Sequence, residues 1–267
     1  MLESLTERAA RGTSDGETQP ETAILDNGRG RGAHVLVCEH ASNFVPARYG
    51  QLGLSDADLQ RHIAWDPGAL GVARVMAREL DAPLVSCAVS RLVIDCNRDP
   101  AVFDAITLRS EGTVIPGNTD VSDAERARRV REVYEPFHAE VADVVSAKRL
   151  AGPVAVIGIH SFTPVYNGTR RPWHVGILFD RDESLSAPMV AALREDPSLV
   201  VGVNEPYSPG DRVYHTLDRH GQSQGLPSVM IEIRNDLLAA PNQQEEWGMK
   251  LATILKRIGL PEGDSPK

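Results

Sequence analysis

Short apolar segments alternate with amphipathic segments along most of this chain, and this alternation constrains the fold more than any other feature. The apolar segments have the length and continuity of strands buried on both faces, and most are separated by helical spacing of apolar residues. Strands that alternate with helices predict a largely parallel sheet covered on both faces, within one domain. The predicted strands lie in segments 34–40, 82–100, 153–160, 173–180, 198–205 and 227–234.

Helix signals fill the intervals between these segments. Ser55 is a good N-cap for a short helix, and 67–80 places its apolar residues on one broad face. Ser122 is the N-cap of a long amphipathic pattern that reaches residue 150, in which Pro136 predicts a kink or a junction. Two further helices are expected over 184–193 and 242–258.

The first 32 residues are polar and Gly-rich and lack a sustained period, so we interpret 1–32 as a flexible arm and 33–260 as the folded domain. The N-terminus lacks the apolar core of a signal peptide, and no window approaches the roughly 18 uninterrupted apolar residues of a membrane span. Three cysteines without metal-type spacing are expected to be buried free thiols. These features favour a soluble, cytoplasmic protein.

The charge balance favours a small-molecule ligand. The 267 residues include 37 acidic and 28 basic side chains, and the sequence pI is about 5.4. A mildly acidic surface argues against nucleic acid or an anionic membrane as the main partner. The chain lacks the glycine patterns of nucleotide-binding loops and the GxSxG motif of serine hydrolases.

Polar residues terminate four of the predicted strand segments. Ligands of such sheets bind beyond the carboxyl ends of the strands, so these residues are expected to meet at one edge. A histidine in that position is a candidate ligand or base, although a lone histidine is more often structural. The residues are Glu39 and His40, Asn97 and Arg98, His160, and Glu232 and Arg234.

Two imidazoles and one carboxylate, with one coordination position left open, make a common catalytic zinc site. His40 and His160 are the candidate imidazoles. Glu39 is disfavoured as the carboxylate, because neighbouring residues of a strand point to opposite faces. The segment "HIAWDPG" supplies His62 and Asp66, and Asp66 is the preferred third ligand.

The remaining groups suit the hydrolysis of an amide. Glu232 at a strand end is the best candidate for a general base, and Arg98 with Asn97 could hold a substrate carboxylate. Structural alternatives remain open for both. Arg98 could pair with Asp95 or Asp99, and Glu232 could pair with Arg234 on the same strand face.

Several ordered blocks between Val35 and Leu238 resemble the N-formylglutamate amidohydrolase family. This family is distantly similar to zinc carboxypeptidases and aspartoacylases, so the resemblance implies a three-layer α/β/α domain with a mixed, largely parallel sheet. The blocks are "VLVCEHASNFVP", "HIAWDPGALGVA", "SRLVIDCNRDP", "IGIHSFTP", "WHVGILF" and "GLPSVMIEIRNDL".

The resemblance also assigns roles to individual residues. In the larger superfamily a strand-end "HS", here His160-Ser161, supplies one zinc ligand, and an "HxxE", here His40 to Asn43, supplies the others. Asn43 stands where glutamate is usual, and an amide oxygen is a poor zinc ligand, so Asp66 is the expected replacement. The resemblance implies that Asn97 and Arg98 hold the substrate. It also implies that Glu232 is the catalytic glutamate, which is followed two residues later by Arg234. We expect Ser161 and Asn43 to contact substrate as well.

The implied reaction is the zinc-dependent hydrolysis of N-formyl-L-glutamate to formate and glutamate, as in histidine degradation. Another N-acyl amino acid, or another divalent metal, is an open alternative. Two other classes also remain. One is a metallopeptidase that acts on small peptides, and the other is a binding protein that has lost its metal.

Overall fold

The computed structural model describes residues 21–261. Within this range no helix combines the length and apolar character needed to cross a membrane. The strands are β1 (Ala23–Asp26), β2 (His34–Cys38), β3 (Leu84–Cys87), β4 (Arg109–Ser110), β5 (Thr113–Val114), β6 (Ala155–Phe162), β7 (Val165–Tyr166), β8 (Thr169–Arg170), β9 (Val175–Leu178), β10 (Val201–Val203) and β11 (Ser228–Arg234). The α-helices are α1 (Asp56–Leu59), α2 (Ala69–Glu79), α3 (Asp123–Arg129), α4 (Glu135–Ala151), α5 (Ser186–Leu193), α6 (His215–His220) and α7 (Pro241–Ile258).

One sheet organises the described residues. Its seven strands follow the order β1-β3-β2-β6-β11-β9-β10. The pairs β3-β2, β2-β6, β6-β11 and β9-β10 are parallel, whereas β1-β3 and β11-β9 are antiparallel. The expectation of a mixed, largely parallel sheet is therefore confirmed.

Helices cover both faces of this sheet and divide the core in two. In β2, Leu36 and Cys38 pack on one side with α2, α5 and α7, while Val35 and Val37 pack on the other with α4 and α6. This alternation follows from the two-residue period of a strand buried on both faces. The three-layer α/β/α expectation is confirmed.

Most predicted elements form close to their expected positions. The hydroxyl of Ser55 accepts a hydrogen bond from the Asp58 N–H at the start of α1, and Ser122 caps α3 in the same way. The long pattern after Ser122 contains a π-helical segment, Val130–Tyr134, immediately before α4. Pro136 follows this segment, so the junction predicted there is confirmed.

Two expectations are corrected. Residues 23–26, assigned to the flexible arm, form β1, which pairs with β3 because Ala23, Ile24 and Leu25 provide a short apolar run. Residues 1–20 of that predicted arm lie outside the described residues. Only 84–87 of segment 82–100 is a strand, and the buried residues 92–94 lie in a turn. Tertiary burial, rather than strand pairing, accounts for their apolar character.

The central parallel strands determine where the polar residues meet. β2, β6 and β11 are neighbours, and their carboxyl ends reach the same edge. Glu232 pairs in register with His160, while Glu39 and His40 directly follow β2. The sheet therefore brings three of the predicted polar segments together.

Candidate active site

A cavity of about 150 Å³ opens at this edge of the sheet. Its walls come from the ends of β6 and β11, from the segment after β2, and from the loops that follow β3 and β4. The predicted site residues His40, Asp66, Asn97, Arg98, His160, Ser161 and Glu232 all line it.

The three predicted metal ligands form one buried cluster. His40, Asp66 and His160 are each at most 5% exposed, and one ligand atom from each lies within 4.8 Å of the others. Asp66 Oδ2 is 3.3 Å from Nδ1 of His40 and 3.0 Å from Nδ1 of His160. Two ligands that bind one zinc ion tetrahedrally at 2.0–2.1 Å lie about 3.3 Å apart, so this spacing suits a shared ion.

Backbone contacts fix Asp66 at the end of β2. Its N–H donates to the carbonyl of His40, and its Oδ2 accepts from the N–H of Ser161. Gly68, with φ of +83°, then turns the chain into α2. His40 and Ser161 lie at the ends of the neighbouring strands β2 and β6, so they can both hold Asp66 although they are far apart in the chain.

A second pair of carboxylates orients the two imidazoles. Nε2 of His40 lies 2.7 Å from Asp95 Oδ1, and Nε2 of His160 lies 3.0 Å from Glu39 Oε2. A carboxylate on the outer nitrogen directs the opposite nitrogen toward the metal position and makes it more basic. Both Nδ1 atoms accordingly face Asp66.

The electrostatics of the cluster require a shared positive charge. Burial would raise the Asp95 pKa, but His40 holds it well below its usual range, so the carboxylate is ionised and His40 donates from Nε2. Burial, assisted by Arg91, lowers the pKa of His40 to about 4, which leaves a lone pair on Nδ1. A lone pair directed at a carboxylate oxygen 3.3 Å away is unfavourable unless a cation lies between them. The residues present therefore fit a divalent metal ion.

His160 and Glu39 are also coupled, but the pKa of this imidazole moves in the opposite direction. Burial opposes protonation of His160, but the charge of Glu39 raises its pKa overall. Burial would raise the pKa of Glu39, yet the neighbouring His160 lowers it to about 2. Glu39 thus stays ionised, and its charge favours a positive charge at Nδ1, the nitrogen of His160 that faces Asp66.

Glu232 contributes a carboxyl group to the same cavity. Its Oε2 is buried and has no hydrogen-bond partner within residues 21–261. Burial raises its pKa, and the nearby His160, His62 and Arg91 only partly offset this effect. The predicted alternative, an ion pair with Arg234, is not formed among the described residues, where Arg234 pairs with Asp236 instead.

Comparison with known proteins identifies the family. The family model described as N-formylglutamate amidohydrolase matches residues 32–239. The chain belongs to the N-formylglutamate amidohydrolase family. The crystal structure of a gene product from Agrobacterium tumefaciens is 44% identical over 89% of this chain and 94% of its own, with a TM-score of 0.87.

A second solved structure, an N-formylglutamate amidohydrolase from Ralstonia eutropha JMP134, is 21% identical and covers 89% of this chain and 97% of its own. Its TM-score of 0.56 indicates a shared fold. A search of curated proteins found no significant match.

Two residues predicted to bind substrate in this family member lie away from the cavity. The side-chain amide of Asn43 donates to the carbonyl of Leu59, because the chain turns away from the sheet after His40. Arg234, at the end of β11, pairs with Asp236 and donates to the carbonyl of Trp173. Neither side chain belongs to the cavity lining, so the structure does not bring these two residues together with the other predicted site residues.

Three other predicted substrate-binding residues line the cavity but already have protein partners. Asn97 donates to the carbonyl of Val213 and accepts from the N–H of Thr216, so it anchors the segment before α6. The Ser161 hydroxyl donates to the carbonyl of Pro67. Arg98 contacts Asp95 at 3.5 Å and Asp104 at 3.4 Å, and the first of these is the salt bridge considered as the structural alternative.

Sequence reasoning missed several residues of the cavity. Arg91 lies in the buried turn after β3 and contacts the second oxygen of Asp66. Glu111, on the β4-β5 turn, lies 3.5 Å from Nδ1 of His62, whose Nε2 lies 2.7 Å from the carbonyl oxygen of Ser161. Arg91 falls inside the block "SRLVIDCNRDP", which was the available signal for it, whereas nothing in the local pattern marked Glu111.

Proposed function

We propose that this protein is a metal-dependent amidohydrolase that removes the acyl group from an N-acyl amino acid, with N-formyl-L-glutamate as its substrate. One observation carries the proposal. A buried His40-Asp66-His160 cluster, oriented by two further carboxylates, shares a cavity with Glu232, an acid whose Oε2 has no hydrogen-bond partner within residues 21–261. Family membership supports the same class of reaction. We also propose that the reaction serves histidine degradation in the cytoplasm.

His40, Asp66 and His160 would hold the metal ion, with Zn²⁺ as the proposed occupant because two imidazoles and a carboxylate suit it. A divalent ion held there would supply Lewis acidity to the amide carbonyl and to water. Asp95 and Glu39 keep the two Nδ1 atoms aimed at that position. Arg91 balances the charge of the remaining Asp66 oxygen.

Glu232 would carry the proton of the reaction. It takes a proton from the attacking water and returns one to the amine nitrogen as the carbon–nitrogen bond breaks, which yields formate and glutamate. A raised pKa suits this exchange, because the group must hold the proton between the two steps. The buried Oε2 of Glu232, which has no partner within the described residues, is free for this task.

Family membership favours an acylated amino acid over a peptide as the substrate, because the matching family model is described as N-formylglutamate amidohydrolase. The peptidase therefore stays the second candidate.

The decisive experiment compares classes of substrate. Formate, acetate or free amino acid release is measured with N-formyl-L-glutamate, N-acetyl-L-glutamate and a dipeptide with C-terminal glutamate, together with the metal content of the purified protein. We expect fastest turnover with the formyl substrate, loss after chelation and recovery with Zn²⁺. Faster dipeptide cleavage would favour the peptidase, whereas metal-free protein that binds ligand without turnover would favour the binding protein.

A further inference from the structure

Arg171, directly after β8, is a buried cation without an acidic partner. It is 8% exposed and forms no ion pair with an Asp or Glu among residues 21–261. Buried charges in proteins are ordinarily paired, because the loss of hydration is costly. A buried guanidinium without an acidic partner in this part of the chain is therefore a candidate to bind the anion of a ligand.

Aromatic rings hold this guanidinium in place. Its Cζ lies 4.5 Å from the ring centroid of Tyr166 and 4.6 Å from that of Tyr207, and Nη1 donates to the Tyr207 hydroxyl over 3.0 Å. Phe162 lies 5.8 Å away, two residues after His160 on the same strand. Cation–π contacts of this kind stabilise a cation without neutralising it.

The same rings connect Arg171 to the candidate active site. Tyr166 and Tyr207 both line the cavity that contains His160 and Glu232. Nε and Nη2 of Arg171 have no hydrogen-bond partner within the described residues, and neither is among the fully enclosed polar atoms. Two parallel donors therefore stay available, which is the arrangement that binds a carboxylate in bidentate form.

The two arginines that line the cavity are already paired. Arg91 contacts Asp66, and Arg98 contacts Asp95 and Asp104. Glu111, whose pKa is lowered by His62 first and by Arg171 to a smaller extent, lies within ion-pair distance of His62 and Arg61 instead. Arg171, in contrast, has no ion pair with an Asp or Glu among residues 21–261, and it contacts two tyrosines that line the cavity.

We propose that Arg171, held between Tyr166 and Tyr207, binds the side-chain carboxylate of the substrate and so selects N-acylated acidic amino acids over neutral ones. This inference rests on the proposed amidohydrolase function and names the substrate class of that site. Loss of one charge-assisted bidentate contact typically lowers affinity by roughly 10- to 100-fold.

The test compares Arg171→Met with Arg170→Met, which removes the exposed neighbouring cation of β8. KM and kcat are measured with N-formyl-L-glutamate and with its neutral side-chain amide, N-formyl-L-glutamine. Arg171→Met should raise KM for the glutamate substrate by roughly 10- to 100-fold with little change in kcat, and should leave the constants for the glutamine substrate close to those of the parent. Arg171→Lys should recover part of the preference, and Arg170→Met should retain it.

Equal losses on both substrates, or an unchanged KM for N-formyl-L-glutamate, would overturn the inference and leave the proposed function intact. A second measurement separates the two proposals. If no formyl amide is hydrolysed, calorimetric titration of the parent and Arg171→Met with L-glutamate and L-glutamine still reports on Arg171. Tighter binding of L-glutamate by the parent alone supports the inference, and equal binding by both proteins contradicts it.

Discussion

One oxygen of Asp66 faces the Nδ1 atoms of both His40 and His160, so the three side chains depend on one another for their charge states. Asp95 and Glu39 fix the opposite nitrogens of these rings. At the scale of single residues, the site is thus two carboxylate–histidine pairs that converge on a third carboxylate. Each member can be tested separately.

Replacement of a ligand should remove the metal. His160→Ala and Asp66→Asn are expected to be purified without stoichiometric metal, because two remaining ligands bind a divalent ion weakly. Metal content measured by elemental analysis checks this expectation. His174→Ala is the matched control, since that imidazole lies at the entry to β9 and accepts from the N–H of Val200. Full metal occupancy in His160→Ala would contradict the assignment.

Replacement of Glu232, the proposed proton carrier, should lower turnover without removing the metal. Glu232→Gln keeps the shape of the side chain but cannot accept a proton, so kcat should fall by roughly 10²- to 10⁴-fold while metal content is retained. Glu246→Gln, on the exposed face of α7, serves as the control. Unchanged turnover in Glu232→Gln would remove this residue from the mechanism.

Glu39 should act on affinity through His160 without contacting the metal. Glu39→Gln removes the charge that faces Nε2 of His160, so metal affinity should fall by roughly 10- to 100-fold although all three ligands remain. Competition with a chromogenic chelator measures the change. An affinity equal to that of the parent would show that Glu39 does not support the ligand.

At the scale of elements, the turn from Asp66 into α2 positions the third ligand. Gly68 has φ of +83°, and a Cβ there would lie 2.4 Å from Cβ of Leu238, in the short helical turn after β11. The turn therefore depends both on a left-handed backbone and on close approach to a distant segment. A side chain would disturb the turn that holds Asp66.

Gly68→Ala should lower the free energy of unfolding by at least about 2 kcal/mol, since backbone strain and overpacking act together. Gly225→Ala is a matched control, because φ is +69° there and a Cβ would meet no atom within 4 Å. That variant should lose about 1 kcal/mol from strain alone. Urea unfolding of both proteins measures the difference, and equal losses would show that the Leu238 contact has no energetic effect.

At the scale of the whole molecule, buried neutral histidines link stability to pH. Burial lowers the pKa of His34 to about 4 and that of His220 to about 4, and burial together with the charge of His220 lowers the pKa of His138 to about 3. The unfolded chain binds protons near pH 6.5 that the folded chain does not bind. These three groups therefore leave stability unaffected above pH 6.5 and reduce it progressively toward pH 4.

Urea unfolding at pH 7.5, 6.0 and 5.0 should show this decline. His34→Gln lacks one of the titrating groups and should lose less stability over the same interval, by about 2 kcal/mol between pH 7.5 and 5.0. A parallel decline in parent and variant would exclude a contribution from His34.

The residue pattern alone determined the layered fold and which polar residues meet at one edge of the sheet. Continuous apolar strands predict a sheet buried on both faces, and parallel neighbours must deliver their carboxyl ends to one edge, so the sequence predicts that His40, His160 and Glu232 come together. Asp66 was predicted as the replacement for the glutamate missing at Asn43, and the structure places it between the two imidazoles.

Only the tertiary structure decided which charged groups are paired and which are left free. Arg98, Asn97 and Ser161 reach the cavity but already have partners. Arg171 lies against two tyrosines of the cavity lining without an acidic partner among the described residues. Arg91 and Glu111 reach the cavity from loops, and the local sequence of these loops does not specify where the two side chains point. The physical reason is that strand periodicity is a local property, while the pairing of a charge depends on contacts between segments far apart in the chain.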